Sequence, residues 1–373
     1  MTGIALAYPL HGQHKMSNEG YRTRDGHVIE WLGRFAAATD SSIDVISRPE
    51  PVVMAHLRRI RGAVAPGTVP IQTLTWKIPD FDPKRWWVKS AQQYPKVGSF
   101  GDLPAVTWNP FTATAPPNRS PFSEDRKVVF DLLDDWTVHY AFESIRSEVE
   151  DAYRRAFEAS SVVFANAEGT IELARRFGRS DAELITNGVD PERFAVAPNA
   201  KGPLTIGYVG LMGKRLDGQL ILDVCGAFPE LRFVFAGPFI DRHDKYRKML
   251  SRLPNVDLLG FVQYEELPAL LATFDLGWVP HAVGDGELGG DVIKIYEYRA
   301  AGLQVLTTPI MGAGRRLTEG VHVVPADDQV DWLREAIRGR ERLDRVPADI
   351  PEDLTWRHKA SRIAQALGLE LAR

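Results

Sequence analysis

Two periods alternate along the chain. Short runs rich in β-branched and aromatic residues recur between stretches whose apolar positions return every three to four residues. In the second half the runs are LTIGYVG (204–210), LRFVFAGP (231–238), VDLLGFV (256–262), DLGWVP (275–280), QVLTTPI (304–310) and VHVVPA (321–326). Helical patterns lie between most of them: RLDGQLILDVCGAF, HDKYRKMLSRL, EELPALLATF and DVIKIYEYRAAG. Apolar strands alternating with helices predict βαβ units and a parallel sheet covered on both faces. The first half repeats the order less cleanly, with GIALAYP, SIDVIS, PIQTLTW, AVTWN, KVVFDLLD and SVVFANA as strands. A Pro-, Trp- and Phe-rich stretch from about Pro79 to Ser123 follows no period and reads as long loops.

The boundary falls in NGVDPERFAVAPNAKGP (187–203), rich in Pro, Asn and Gly and poor in large apolar residues. It separates an N-terminal domain over 1–190 from a second over 200–350, each α/β and doubly wound. A last amphipathic helix, DLTWRHKASRIAQALGLELA, occupies most of 351–373. Composition agrees with a soluble globular protein of two ordinary cores: 373 residues, 44% hydrophobic and 25% charged. A net charge of -4 argues against a general nucleic-acid binder. The single cysteine, Cys225, excludes an intrachain disulfide framework, and its setting in LILDVCGAF reads as core. GIALAYPL lacks the basic start of a secretory leader, and no apolar run reaches the roughly 20 residues of a bilayer span. The expectation is a cytoplasmic protein, at most peripheral at the inner face of the membrane.

In an open parallel sheet, ligands bind beyond the carboxyl ends of the strands. YVGLMGKRLDGQ (208–219) is a strand-to-helix turn with Gly210 and Gly213, where backbone N–H groups and the charges of Lys214 or Arg215 would suit a diphosphate. It has neither dinucleotide nor P-loop spacing, and a plain connecting turn reads the same way. DVIKIYEYRAAGLQVLTT (291–308) follows the acidic loop HAVGDGELGG and carries Lys294 and Glu297 as i,i+3 neighbours. These either pair on the surface or hold, respectively, a phosphate and the vicinal hydroxyls of a ribose.

This second half resembles the nucleotide-sugar domain of GT-B glycosyltransferases, in the large retaining family that builds bacterial polysaccharides and teichuronic acids. ITNGVDPERF (185–194) is similar to that family's domain junction, and KVVFDLLDDWTVHY with ASSVVFANAE resembles its first-domain strands. The resemblance implies two Rossmann-like domains facing a central cleft, with the C-terminal helix returning to the first. It also implies a UDP- or GDP-sugar donor on the second domain and no required metal or other cofactor. Glu297 matches the second Glu of the family's Glu-x₇-Glu motif, the one on the donor ribose. The first falls on Gly289, so Glu287 or Asp291 would contact the sugar instead. The family's phosphate-loop Arg falls on Leu211, which leaves Lys214 and Arg215 as the cations. The backbone of Phe261 and Val262 matches the seat of the base.

In a retaining reaction the departing phosphate takes the acceptor proton, whereas inversion requires a base in the first domain. Asp134, Asp135 and His139, in FDLLDDWTVHY, are candidates for that base or for acceptor contacts, and equally for helix caps. HGQHKMSNEGYRTRDGHVIEW (11–31) offers His11, His14, Asp25 and His27 and reads as a mobile loop over the acceptor. PKRWWVKSAQQYPK (83–96) interleaves Trp86, Trp87 and Tyr94 with cations, as a core helix does, and as a carbohydrate or membrane contact does. HLRRIRGAV (56–64) is a second docking candidate for a lipid-linked acceptor. The function expected is transfer of a sugar from a nucleotide donor to a glycan, lipid-linked or small-molecule acceptor. The alternatives are a sugar-nucleotide epimerase and a non-catalytic glycan- or partner-binding homologue.

Overall fold

Strand β1 (Thr2–Tyr8) ends in Ala5, Leu6, Ala7 and Tyr8, all fully buried, which is what a strand covered on both faces requires. The computed structural model describes residues 2–78, 80–122, 126–194, 196, 200–240, 245–284 and 290–370. The chain divides into two units: one of Met1–Asn187, Leu288–Asp291 and Trp356–Arg373, the other of Gly188–Glu287 and Val292–Thr355.

The first unit continues with β2 (Ser41–Ile46), β3 (Glu50–Pro51), β4 (Thr68–Ile71), β5 (Leu74–Thr75), β6 (Ala105–Thr107), β7 (Val128–Leu132), β8 (Val162–Ala165) and β9 (Glu183–Leu184). Seven of these form one parallel sheet in the order β4-β2-β1-β6-β7-β8-β9, while β3 and β5 pair separately. The order reverses at β1/β6, so the connections leave to opposite sides and a crevice opens at the carboxyl ends of those two strands. The C-terminal helix Trp356–Leu367 packs here, with the Trp356 ring stacked on His27 at 4.6 Å between centroids.

The second unit holds β10 (Thr205–Val209), β11 (Arg232–Ala236), β12 (Val256–Gly260), β13 (Leu276–Val279), β14 (Gln304–Thr307) and β15 (Val321–Val323). They form a parallel sheet in the order β12-β11-β10-β13-β14-β15, reversing at β10/β13. Ile206, Tyr208 and Phe233 pack on one face with the helix Gly218–Ala227, where Cys225 is buried. Val209, Val234 and Val305 pack on the other with Tyr298 and Ala300 of the helix Ile293–Ala300. Two α/β units with parallel sheets match the fold class expected.

Two stretches depart from the sequence reading. Residues 11–31 are not a loop: the helices Gln13–Glu19 and Arg24–Ala37 run through them, broken where Gly20 (φ 84) and Tyr21 (φ 58) turn left-handed. The aperiodic region after residue 79 contains the helix Arg85–Ala91 and the 3-10 turns Val97–Phe100 and Pro110–Thr114. Elements of one or two turns are too short to display a period.

Candidate functional site

The reversal point of the second sheet is where its polar chemistry gathers. After β10 the chain turns at Gly210 (φ 148), whose N–H donates to Ala236 O at 2.9 Å. Gly237 (φ 149) lies so close that a side chain on it would collide with Gly210 O. The loop from Gly210 is stitched to both neighbours. Met212 N–H donates to Pro238 O at 3.0 Å, Asp217 N–H to Pro280 O at 2.9 Å, and Ala282 N–H to Arg215 O at 2.9 Å. Lys214 and Arg215 are exposed on this loop. Gly213 has no left-handed backbone, and a Cβ there would press on the end of the Ile240 side chain.

Lys294, the second residue of the helix Ile293–Ala300, brings its ammonium to 5.2 Å from the Tyr208 ring centre. A Cβ on Gly210 would lie 3.0 Å from Lys294 Cε, so the lysine runs along the glycine turn. His281 is the residue that sequence reasoning passed over. It lies two residues past the end of β13 and is 3% exposed, and its Nε2 finds no hydrogen-bond partner among the described residues. Burial pushes its imidazole well below the usual histidine range, and the charges of Lys294 and Arg215 push it further. His281 is therefore neutral, between two cations at the mouth of the reversal point.

Glu297 is buried and accepts a hydrogen bond at Oε1 from Tyr264 Oη, 2.9 Å away. Burial, then the Glu297 charge, raises the Tyr264 hydroxyl well above its usual range, so it stays a donor. Tyr298, on the next position, accepts at its Oη from Val209 N–H at 2.7 Å and fixes the helix against β10. Val262 is half-buried against the same core, and Phe261 is 44% exposed.

Two sequence expectations meet different partners. The helix after the Gly210 loop is capped by Asp217, whose Oδ1 accepts from Leu220 N–H at 3.0 Å. A carboxylate thus holds the N-terminus proposed for a phosphate, and the anion-attracting groups left are the side-chain cations. Asp291 belongs to the first unit, where its Oδ2 accepts from Asn187 N–H at 2.8 Å. Glu287 and Gly289 lie outside the described residues.

The candidates of the first unit are drawn into local structure. Asp135 Oδ1 accepts from Thr137 N–H at 2.8 Å within a turn, and its Oδ2 pairs with Arg176, so it is held locally without capping a described helix. His139 Nδ1 accepts from Ala141 N–H at 3.0 Å and caps the 3-10 turn Tyr140–Ile145. The exception stands at the end of β1. His11 Nδ1 lies 3.1 Å from Asp25 Oδ1, and Asp25 Oδ2 also accepts from His11 N–H at 2.9 Å. Asp25 is fully buried, which would raise its pKa, yet His11 and the Thr23 hydroxyl hold the carboxyl far below the usual range. In 83–96, Trp86 and Tyr94 are buried, and the Trp87 ring lies under the Arg48 guanidinium at 3.9 Å. That is the core alternative rather than a platform.

Residues 203–339 match the family described as glycosyl transferases group 1. Over 267 residues the chain is 22% identical to the Bacillus subtilis protein TuaH, named as a teichuronic acid biosynthesis glycosyltransferase. The match covers 65% of this chain and 67% of TuaH. Among solved structures, Anabaena Alr3699/HepE in complex with UDP and glucose aligns with a TM-score of 0.62 at 15% identity, over 97% of this chain and 95% of that one. Sucrose-phosphate synthase from Thermosynechococcus elongatus aligns with a TM-score of 0.68 at 14% identity, over 98% of each chain. The fold they share with this chain is GT-B.

Proposed function

We propose that this glycosyltransferase, a GT-B chain with a group 1 domain over residues 203–339, takes its sugar from a UDP- or GDP-linked donor. The acceptor is a glycan, lipid-linked or small molecule, and the reaction is cytoplasmic. The observation that carries the reading is that Lys294, along the Gly210 turn, and Arg215, whose O accepts from Ala282 N–H, both act on His281 beside the reversal point. As the glycosidic bond breaks, negative charge grows on the β-phosphate, and fixed cations at that position stabilise the transition state more than the ground state. Lys294, Arg215 and Lys214 carry that role, with the uncommitted Nε2 of His281 available to a phosphate oxygen. Glu297, oriented by Tyr264, takes the ribose hydroxyls, and the backbone at Phe261 and Val262 takes the base. Glu287 is left as the acidic contact to the sugar. The cations supply the charge a metal would, so chelation with EDTA leaves the rate unchanged.

Retention is favoured because Asp135 is engaged by Thr137 and Arg176 while His139 caps a 3-10 turn. The His11–Asp25 pair favours a second reading: the carboxylate would hold the Nδ1–H tautomer and leave Nε2 as a base, giving inversion. The anomeric configuration of the product, read by NMR, decides between them. Incubation with a panel of UDP- and GDP-sugars releases the nucleoside diphosphate slowly without acceptor, whereas an epimerase alters the sugar with no release. UDP or GDP raises the thermal midpoint of the wild type and not of Glu297→Ala. Unchanged nucleotide affinity in that variant discards the ribose assignment.

A further inference from the structure

Leu74, Trp76 and Ile78 stand two residues apart, running out of β5, and all three are exposed, Trp76 at 87% and Ile78 at 82%. Thr75, between the first two, is buried. The alternation of an ordinary half-covered strand is inverted here: the apolar side chains face outward and the hydroxyl faces in. Phe81 is fully exposed three residues on, and Val53 and Leu57 are exposed on the 3-10 turn Val52–Arg58, which packs on both β3 and β5. Burying an aromatic or branched side chain of this size is worth about 1.5–3 kcal/mol, so six left in water call for a cover.

The lobe is tethered at its base. Trp86 Nε1 donates to Pro49 O at 3.1 Å, Lys89 pairs with Asp80 at 2.8 Å, and the Ser144 hydroxyl donates to Asp82 at 2.5 Å. Its charge is opposite to that of the whole chain. Between Arg48 and Lys89, eight lysines and arginines face three carboxylates, in a protein of net charge -4. Arg59, Arg61, Lys77 and Arg85 are exposed among the apolar side chains. Apolar tips interleaved with free-standing cations, with a Trp among them, match a bilayer interface carrying anionic lipid. There each cation adds about 1 kcal/mol of attraction and the apolar side chains enter the headgroup boundary. None of the described helices is long and apolar enough to cross a membrane, so the contact is with one leaflet.

We propose that the lobe formed by β3, β5, the turn Val52–Arg58 and the segment through Phe81 docks the enzyme on an anionic membrane surface. This goes beyond the transfer reading and does not depend on it. The test is flotation of the full chain with vesicles of phosphatidylglycerol in phosphatidylcholine, and with phosphatidylcholine alone, at low and high salt. The wild type floats with the anionic vesicles, floats less at high salt, and stays down with phosphatidylcholine. The triple variant W76S/I78S/F81S loses more than about tenfold in partitioning, with its circular dichroism and thermal midpoint unchanged. Flotation of that variant at the wild-type level overturns the proposal, as does wild-type failure to float. A wild type that self-associates through these residues, in gel filtration, and ignores vesicles overturns it in favour of a protein contact. No donor is present, so the outcome leaves the nucleotide site untouched.

Discussion

The carboxyl edges of the two sheets treat charge in opposite ways. At the first, carboxylates are matched one by one. Asp131, fully buried on β7, accepts from Arg24 Nε at 2.8 Å, from Arg24 Nη2 at 2.7 Å and from Trp108 Nε1 at 2.6 Å. The other Arg24 terminal nitrogen donates to Thr186 O and Asn187 Oδ1. Asp25 answers His11, and Asp135 answers Arg176. At the second edge, Lys294 and Arg215 converge on a neutral histidine whose Nε2 has no partner among the described residues. A matched charge holds the fold. Both charges disfavour a proton on His281, and an anion bound there would offset that effect.

The largest effect that would break this contrast belongs to the first edge. Arg24→Ala leaves the buried Asp131 charge facing only Trp108, and unfolding in urea is expected to show a loss of about 3–5 kcal/mol. A loss below about 1 kcal/mol would mean that the pair is not holding the sheet. At the second edge, Lys294→Met is expected to weaken UDP binding ten- to hundredfold, about 1.4–2.8 kcal/mol by calorimetry.

The smallest effect is in pH. His14 accepts from Arg58 Nη1 at 3.1 Å; burial, then Arg58 and Arg48, lowers its pKa to about 4. The unfolded chain takes up that proton near pH 6.5 and the folded chain does not, so stability falls as pH drops from about 6.5 toward 4. His14→Gln flattens that part of a thermal-midpoint profile. His281 has the same sign, chiefly from burial, and a bound diphosphate would offset the lesser contribution of the Lys294 and Arg215 charges. UDP binding near pH 6 is expected to take up protons, seen by calorimetry in buffers of different ionisation enthalpy. The uptake disappears in His281→Gln.

The sheets were legible because the central strands are buried on both faces and appear as apolar runs; Thr205–Val209 is buried at every position, whereas the edge strand Val256–Gly260 is not. Strands of two residues, such as β3, β5 and β9, have no alternation to read. Arg215 was visible because it lies in the turn after a strand end, and Lys294 because it is the i,i+3 neighbour of Glu297. His281 follows a strand end too, but its burial comes from groups distant in sequence: Tyr208 beside its ring and Thr308, whose hydroxyl donates to His281 O at 2.7 Å. Asp135 looked catalytic because its partner Arg176 lies 41 positions away. The lobe around Trp76 was read as a strand because the LTW alternation is real; only its facing is inverted.

The backbone crossing at Gly210 and Gly237 has a practical corollary for redesign. Any substitution at Gly237 drives a methyl into the carbonyl opposite, so the pair is closed to diversification. A library meant to change which donor is accepted should keep both glycines and randomise Leu211 and Ile240, whose side chains are 57% and 61% exposed on the same rim. Variants there are expected to stay folded while their donor preference drifts.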